Sequence, residues 1–344
     1  MFAGFPLVLG ASPRKMPAMP SFVVTAEEDD KTLAAVIRQR LGVAWSTARA
    51  MCERNKITVD GVLADDPSRR VRLGQALAID HTAPRPVPKA LVVAKQRILF
   101  EDSQLVVINK PAGVSSVPYE KDEKFTAMDL VRDGWRAEGR KATEQPLYVV
   151  HRIDKDTSGL LMFAKTRPAE RELQQRFRHH DIRRRYLCVV HGYCLGRTIE
   201  SYLIKDRGDG LRGSLAPWKV ELGHGGRLAL THVEVLEHIG NLATLCAVQI
   251  ETGKTHQIRI HLAESGHPII GERVYIRDFT RRGQTPLACP RLLLHAETLG
   301  FTHPQTEEDL MFQEDPPPDF ADALSRLRAQ ARKERSAAEA AAAR

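Results

Sequence analysis

The chain has 344 residues, 42% of them hydrophobic and 27% charged, the balance of a globular protein with a real core and room for one large domain plus a small one. Its net charge of +8 favours a polyanionic partner, nucleic acid first and an anionic membrane surface second. Five scattered cysteines (Cys52, Cys188, Cys194, Cys246, Cys289), never spaced C-x-x-C, point to a reducing compartment and argue against a structural zinc site, while no apolar run reaches the roughly 18 residues that span a bilayer.

Residues 1–30 open "MFAGFPLVLGASPRK", apolar first and basic second, the reverse of a secretory signal. They read as a disordered leader of a cytoplasmic protein. Residues 31–80 form a unit of their own. "KTLAAVIRQRL" sets Leu33, Val36, Ile37 and Leu41 on one helical face, and "STARAMCERNKI" predicts a second short helix capped by Ser46. A hairpin follows around Asp60-Gly61. This unit carries nine basic residues against five acids, a net charge near +4, with Arg38, Arg49 and Lys56 as candidate nucleic-acid contacts. Two helices and a hairpin bury only a small core.

Residues 81–97 hold three prolines in "HTAPRPVPKA" and read as a linker. Beyond them strands are predicted at "ILFEDSQLVVINK", "YVVHRI", "GLLMFAKT", "RRYLCVVHG", "THVEVLEHI" and "LATLCAVQIET". Helices are fewer: "AMDLVRDGWRAEG", "PAERELQQRFRHH" and "THQIRIHLAESG", the last capped by Thr255 and ended by Gly266. Strands that cluster without strict alternation predict an α+β fold, its large domain (98–318) built on a mainly antiparallel mixed sheet with flanking helices. The remaining small domain is α/β. Residues 319–344, Ala- and Arg-rich, predict a frayed and exposed helix.

Three segments concentrate chemistry. In "HRIDKDTSG" a carboxylate, Asp154, stands between Arg152 and Lys155, just before an apolar strand. The kinase motif H-R-D is interrupted by Ile153, and no Gly-rich loop or D-F-G accompanies it. The bland alternative is a turn Asp bonding the backbone of Thr157 or Ser158. In "RRRYLCVVHG", Arg183, Arg184 and Arg185 precede Tyr186, a pairing of phosphate-binding cations with a base-stacking ring, or simply a basic strand entrance. In "ETGKTHQIRIHLAESG", Lys254, His256, Arg259 and His261 spread cations around a short helix. A P-loop is excluded because its first glycine would fall at Val248. His256 and His261 lack the H-E-x-x-H spacing of a zinc protease.

Together with "DSQLVVINKPAGVSSVP", "GERVY" and "RLLLHAETLGFTHP", these segments in this order resemble the RluA-type pseudouridine synthases over about residues 98–318. Residues 31–80 resemble the small RNA-binding domain named after a small-subunit ribosomal protein. The family pattern usually has Leu where Ile153 stands, and often Arg where Lys254 stands. The resemblance implies an enzyme that turns specific uridines of structured RNA into pseudouridine, needing no cofactor and no metal. It implies Asp154 as the reacting carboxylate, Arg259 as its cationic partner, and Tyr186 as the ring against the base. It also implies that Arg152 steadies a flipped strand, and that Thr157, Ser158 and Gly159 make a turn close to the RNA backbone. The expected substrate is large-subunit ribosomal RNA, the expected protein a monomer. The alternatives are a transfer-RNA pseudouridine synthase and a non-catalytic binder of structured RNA. A nucleoside hydrolase would want two paired carboxylates, and the sequence offers one.

Overall fold

A computed structural model describes residues 21–342 other than 55, 81–96, 119–122, 124, 142–144, 216–219 and 221–224, and the chain divides into the units Met1–Pro86 and Val87–Arg344. The predicted linker, but for residue 97, lies outside the described residues, as do residues 1–20 of the predicted leader.

The small unit is a four-stranded antiparallel sheet under two helices. Its strands are β1 (Ser21–Val23), β2 (Ile57–Val59), β3 (Val62–Leu63) and β4 (Ala76–Ile79), in the order β1-β4-β2-β3. The helices are α1 (Leu33–Leu41) and α2 (Trp45–Glu53). The predicted hairpin is present: Asp60 and Gly61 both take positive φ, 53° and 76°, the geometry that closes a two-residue turn. Thr32 caps α1 by accepting from the Ala35 N–H, and Gly42 ends it in left-handed backbone. The cap of α2 is Ala44 and makes no side-chain bond, so Ser46 sits inside the helix and not before it.

The unit begins earlier than Lys31. β1 pairs with β4, and Glu28 is buried and tied to Arg40 at 2.6 and 2.9 Å. That bond, acting against burial, brings the Glu28 carboxyl down to about 2. A buried, paired acid at residue 28 is incompatible with a disordered leader reaching residue 30. Leu33, Val36, Ile37, Ala48, Cys52, Ile57, Leu77 and Ile79 are all fully buried, so β1 and β4 give the unit a larger core than two helices and a hairpin would.

The large unit contains β5 (Ile98–Glu101), β6 (Leu105–Lys110), β7 (Tyr148–Val149), β8 (Ser158–Ala164), β9 (Arg183–His191), β10 (Arg197–Ile204), β11 (Gly213–Ser214), β12 (Arg227–Ile239), β13 (Ala243–Ile250), β14 (Leu294–Thr302) and β15 (Asp309–Gln313). They form one sheet in the order β11-β10-β12-β13-β9-β14-β8-β6-β5, with β15 on β14 and β7 on β8. Among the described strands only β14–β8 is parallel, which makes the sheet mixed and mainly antiparallel. The helices are α3 (Ala127–Ala137), α4 (Arg167–His179), α5 (Gln257–Glu264), α6 (Arg277–Arg281) and α7 (Pro318–Ala342). The described residues hold no helix long and apolar enough to cross a membrane.

β8 is buried along its whole length because both faces are covered. Leu160 and Met162 pack with Ala169 and Leu173 of α4; Leu161 and Phe163 pack with Val131 and Trp135 of α3. Each such side chain contributes about 1.5–3 kcal/mol when fully buried, which anchors the strand that follows the Asp154 loop. Gly159 has φ +110°, and a Cβ there would stand 2.2 Å from the Ala296 carbonyl oxygen. The glycine therefore serves the close approach of β14, not of RNA. The first turns of α7 are docked as well: Phe320, Ala323, Leu324 and Leu327 join the core around Val189 and Cys246. The tail is exposed only beyond them, since apolar residues recur on one face of its first turns.

Candidate active site

Asp154 lies in the irregular segment between β7 and β8, and two sets of bonds fix that segment from behind. Ser116 accepts from the Ile153 N–H at 3.1 Å and donates to the Ile153 carbonyl at 2.7 Å. Lys110, fully buried, donates to the carbonyls of Pro111, Val114 and Lys155 at 2.8, 2.8 and 3.0 Å. Three acceptors use all three ammonium protons. Burial nonetheless brings the lysine down to about 7. The Thr157 N–H closes the turn on the Asp154 carbonyl at 3.1 Å. His151 is part of this scaffold too: its Nε2 accepts from the Met162 N–H of β8 and its ring stacks on Phe177 at 4.7 Å. Burial, then the nearby Arg184, pushes it down to about 3, so it is neutral.

In front of Asp154 stands α5. Gln257 anchors its start: its amide donates to the Leu230 carbonyl and the Thr231 hydroxyl, and its oxygen accepts from the Thr252 hydroxyl and the Lys254 N–H. The N-cap is His256, in left-handed backbone with no side-chain cap bond. The cap position read from sequence as Thr255 therefore falls one residue later, on His256. Gly266 does follow the helix, with φ +91°.

Arg259, buried on α5, grips Glu272 through Nε and Nη2 at 2.7 Å each, leaving Nη1 facing Asp154 Oδ2 at 3.9 Å. Glu272 also accepts from the backbone N–H of Val274 and Tyr275. Burial works against its ionisation, but the guanidinium and those N–H groups hold the carboxyl at about 2. Burial opposes the charge of the arginine, but the Glu272 charge and hydrogen bonds together with the Asp154 charge outweigh it and push the guanidinium further up. His256 Nε2 lies 4.0 Å from Asp154 Oδ1.

These groups open on a cleft of about 750 Å³, whose described lining includes Arg152, Asp154, Thr157, Arg184, Tyr186 and Lys254. Asp154 is the single acid among its described lining residues. Tyr186 is buried, and burial raises its pKa; its ring lines the cleft and its hydroxyl makes no hydrogen bond among the described residues.

The structure divides the sequence candidates. Asp154, Tyr186, Arg259, Arg152, Lys254, His256 and Thr157 converge on the cleft or its wall. Strand alternation splits the arginine triplet. Arg184 shares the cleft face with Tyr186, bonding the Glu251 carbonyl at 2.9 Å and lying over Phe177 at 5.2 Å. Arg185 turns to the opposite face and pairs with Glu297, so it does not reach RNA in the cleft. Arg183, exposed, shares that opposite face. Ser158 is likewise withdrawn: it is buried, 2.9 Å from His295 Nδ1 and accepting from Arg291 at 2.8 Å. Arg38 and Arg49 lie over Trp45 at 5.0 and 5.9 Å in the small unit, with Lys56 after α2. Lys110, Gln257, Glu272 and Tyr275 were missed, because each reads locally as an exposed polar or sheet residue.

The sequence model for RNA pseudouridylate synthases matches residues 104–264. A ribosomal large subunit pseudouridine synthase D from Zymomonas mobilis subsp. mobilis is 33% identical over 319 residues, covering 88% of this chain and 96% of the relative. The dual-specificity RNA pseudouridine synthase RluA of Haemophilus ducreyi is 33% identical over 223 residues, 63% of this chain and 92% of that one. The solved structure of human RNA pseudouridylate synthase domain containing 4 shares the fold, with a TM-score of 0.51 over 68% of this chain and 93% of its own, at 22% identity. The family match and the relatives matched along most of the chain thus define an enzyme that works on a base within RNA. The chain belongs to the RNA pseudouridine synthase family, in its RluA branch, and isomerises uridine in RNA to pseudouridine.

Proposed function

We propose that the RNA is large-subunit ribosomal RNA, that Asp154 is the reacting carboxylate, and that the chain acts as a cytoplasmic monomer. The observation that carries the assignment of Asp154 is its place as the single described acid of a basic cleft, facing the free edge of an arginine already neutralised by Glu272. The ribosomal substrate is supported by the names of relatives matched along most of the chain.

In the reaction the N1–C1′ bond of the target uridine breaks, the base turns, and a C5–C1′ bond forms. The C5 proton leaves and N1 gains one, so nothing is oxidised and no group is added. Attack of Asp154 on C1′ and removal of a ribose proton both require a bare carboxylate. Tyr186, whose burial keeps its proton on, packs against the base and is a poor proton acceptor. Arg152 is exposed and has no hydrogen bond or ion pair among the described residues, so it is free to fill the stack when the nucleotide leaves it, a step costing a few kcal/mol.

The small unit adds phosphate contacts through Arg38, Arg49 and Lys56. Arg38→Ala with Arg49→Ala should flatten the dependence of log affinity on log salt by about 1–2; an unchanged slope would remove this unit from the interface. The substrate class is tested with ribosomal and transfer RNA carrying tritium at uridine C5. Release from large-subunit ribosomal RNA alone is expected. Release from transfer RNA alone would assign the other substrate, and tight binding without release would favour the pure binder.

A further inference from the structure

The chemistry assigned to Asp154 leaves one neighbouring side chain without a task. His256 lies immediately before α5 with φ 59°, and its ring edge lines the cleft. Nε2 is 4.0 Å from Asp154 Oδ1, while Arg259 faces the other carboxylate oxygen, Oδ2. On the far side of the ring, Nδ1 is 2.7 Å from the Tyr275 hydroxyl.

That last contact decides where the imidazole proton sits. Tyr275 is buried and its hydroxyl bonds nothing but His256 among the described residues. If the hydroxyl accepted from an Nδ1–H, its own proton would be left in a buried site without an acceptor, at about 1–3 kcal/mol. Donation by Tyr275 avoids this, makes Nδ1 the acceptor, and places the ring proton on Nε2, toward Asp154. Burial raises the Tyr275 pKa, so the hydroxyl keeps the proton it donates. Burial also pushes His256 down to about 4, against the pull of Asp154. The other charged groups facing the ring are Arg259 of α5, Glu272 of the following segment and Arg212 of the segment before β11. Arg259 and Glu272 neutralise each other, and the ring stays neutral at pH 7.

We propose that His256 is a positioning residue for the pseudouridine reaction: a neutral imidazole, held by Tyr275 in its Nε2–H tautomer, that orients Asp154 through Oδ1 while Arg259 orients Oδ2. The inference rests on the reading of Asp154 given above. A separation of 4.0 Å is longer than a hydrogen bond, so the contact closes in the RNA complex, where catalytic hydrogen bonds shorten.

The direct test is nitrogen NMR on protein labelled with nitrogen-15 in histidine, the His256 signals being assigned by their absence from His256→Gln. At pH 7 an unprotonated Nδ1 and a protonated Nε2 are expected, with mixed tautomers in Tyr275→Phe. An Nδ1–H tautomer or a cationic ring in the wild type would overturn the proposal. In turnover, His256→Ala should lower kcat about tenfold or more with KM unchanged. His256→Gln, whose amide N–H reaches near the Nε2 position, should recover most of the loss. A raised KM with unchanged kcat would make His256 an RNA contact instead. Equal losses in Ala and Gln, matched by falling melting temperatures, would make it packing; either result overturns the proposal. Should Asp154→Asn remain active, the reading of Asp154 fails; should Asp154→Asn be inactive and His256→Ala turn over like wild type, only this inference fails.

Discussion

Two sides of the same cleft are built on opposite plans. On the wall formed by α5 and the segment to Tyr275, the side chains nearest Asp154 are held from behind before RNA arrives: Arg259 by Glu272, Glu272 by two backbone N–H groups, His256 by Tyr275, with only the edges that face Asp154 left open. On the rim, Arg152, Arg178, Arg227 and Lys254 line the opening with no hydrogen bond or ion pair from their side chains among the described residues. The difference follows from the tasks. Groups that act on a reacting centre gain from being fixed in advance, since they need no reorganisation in the transition state. Cations that capture phosphates gain from being unspent, because pairing them within the protein would forfeit the counterion release that drives binding.

This contrast makes graded predictions. Glu272→Ala attacks the wall where it is most committed, leaving a buried guanidinium uncompensated. It should lose about 3–5 kcal/mol in urea unfolding, and a loss below about 1 kcal/mol would mean that the pair is not a structural keystone. Lys110 behind the Asp154 loop comes next. The folded protein releases its proton near pH 7 and the unfolded chain near 10.5. Between those values the unfolded chain holds more protons, so this group makes stability rise with pH. The stability of wild type minus that of Lys110→Met should therefore grow by about 2 kcal/mol from pH 7 to 9; a flat difference would show that Lys110 stays charged throughout. Arg152→Ala tests the rim. It should reduce kcat/KM about tenfold, near 1.4 kcal/mol, while unfolding stability stays within about 0.5 kcal/mol of wild type. A stability loss as large as that on the wall would erase the distinction.

Much of this was legible in the sequence because it depends on local pattern. β8 shows as a continuous apolar run since both its faces are covered, and the Asp60-Gly61 hairpin shows because left-handed backbone favours those residues. That Asp154, Tyr186 and Arg259 share one site was suggested by the family that three motifs in order resemble, and the fold brings all three to one cleft or its wall. What stayed hidden depends on partners distant in sequence. Ser158 looks like an active-edge serine until β14 brings His295 beside it, and Arg185 looks like a phosphate ligand until strand alternation sends it to Glu297. Glu272 in "GERVY" has no local mark of burial; its partner lies thirteen residues earlier on a helix. The ordered segment from Ser21 was missed because a three-residue edge strand carries almost no periodic signal, and its register comes from β4.

The central claim is that Asp154 performs the chemistry and does not hold the RNA. Purified wild type and Asp154→Asn should be compared on ribosomal RNA labelled with tritium at uridine C5, measuring tritium release and RNA affinity in the same buffer. The account predicts that the variant loses more than about a thousandfold in turnover while its affinity stays within a few fold. Turnover that survives the substitution, or an affinity that collapses with it, would contradict that claim.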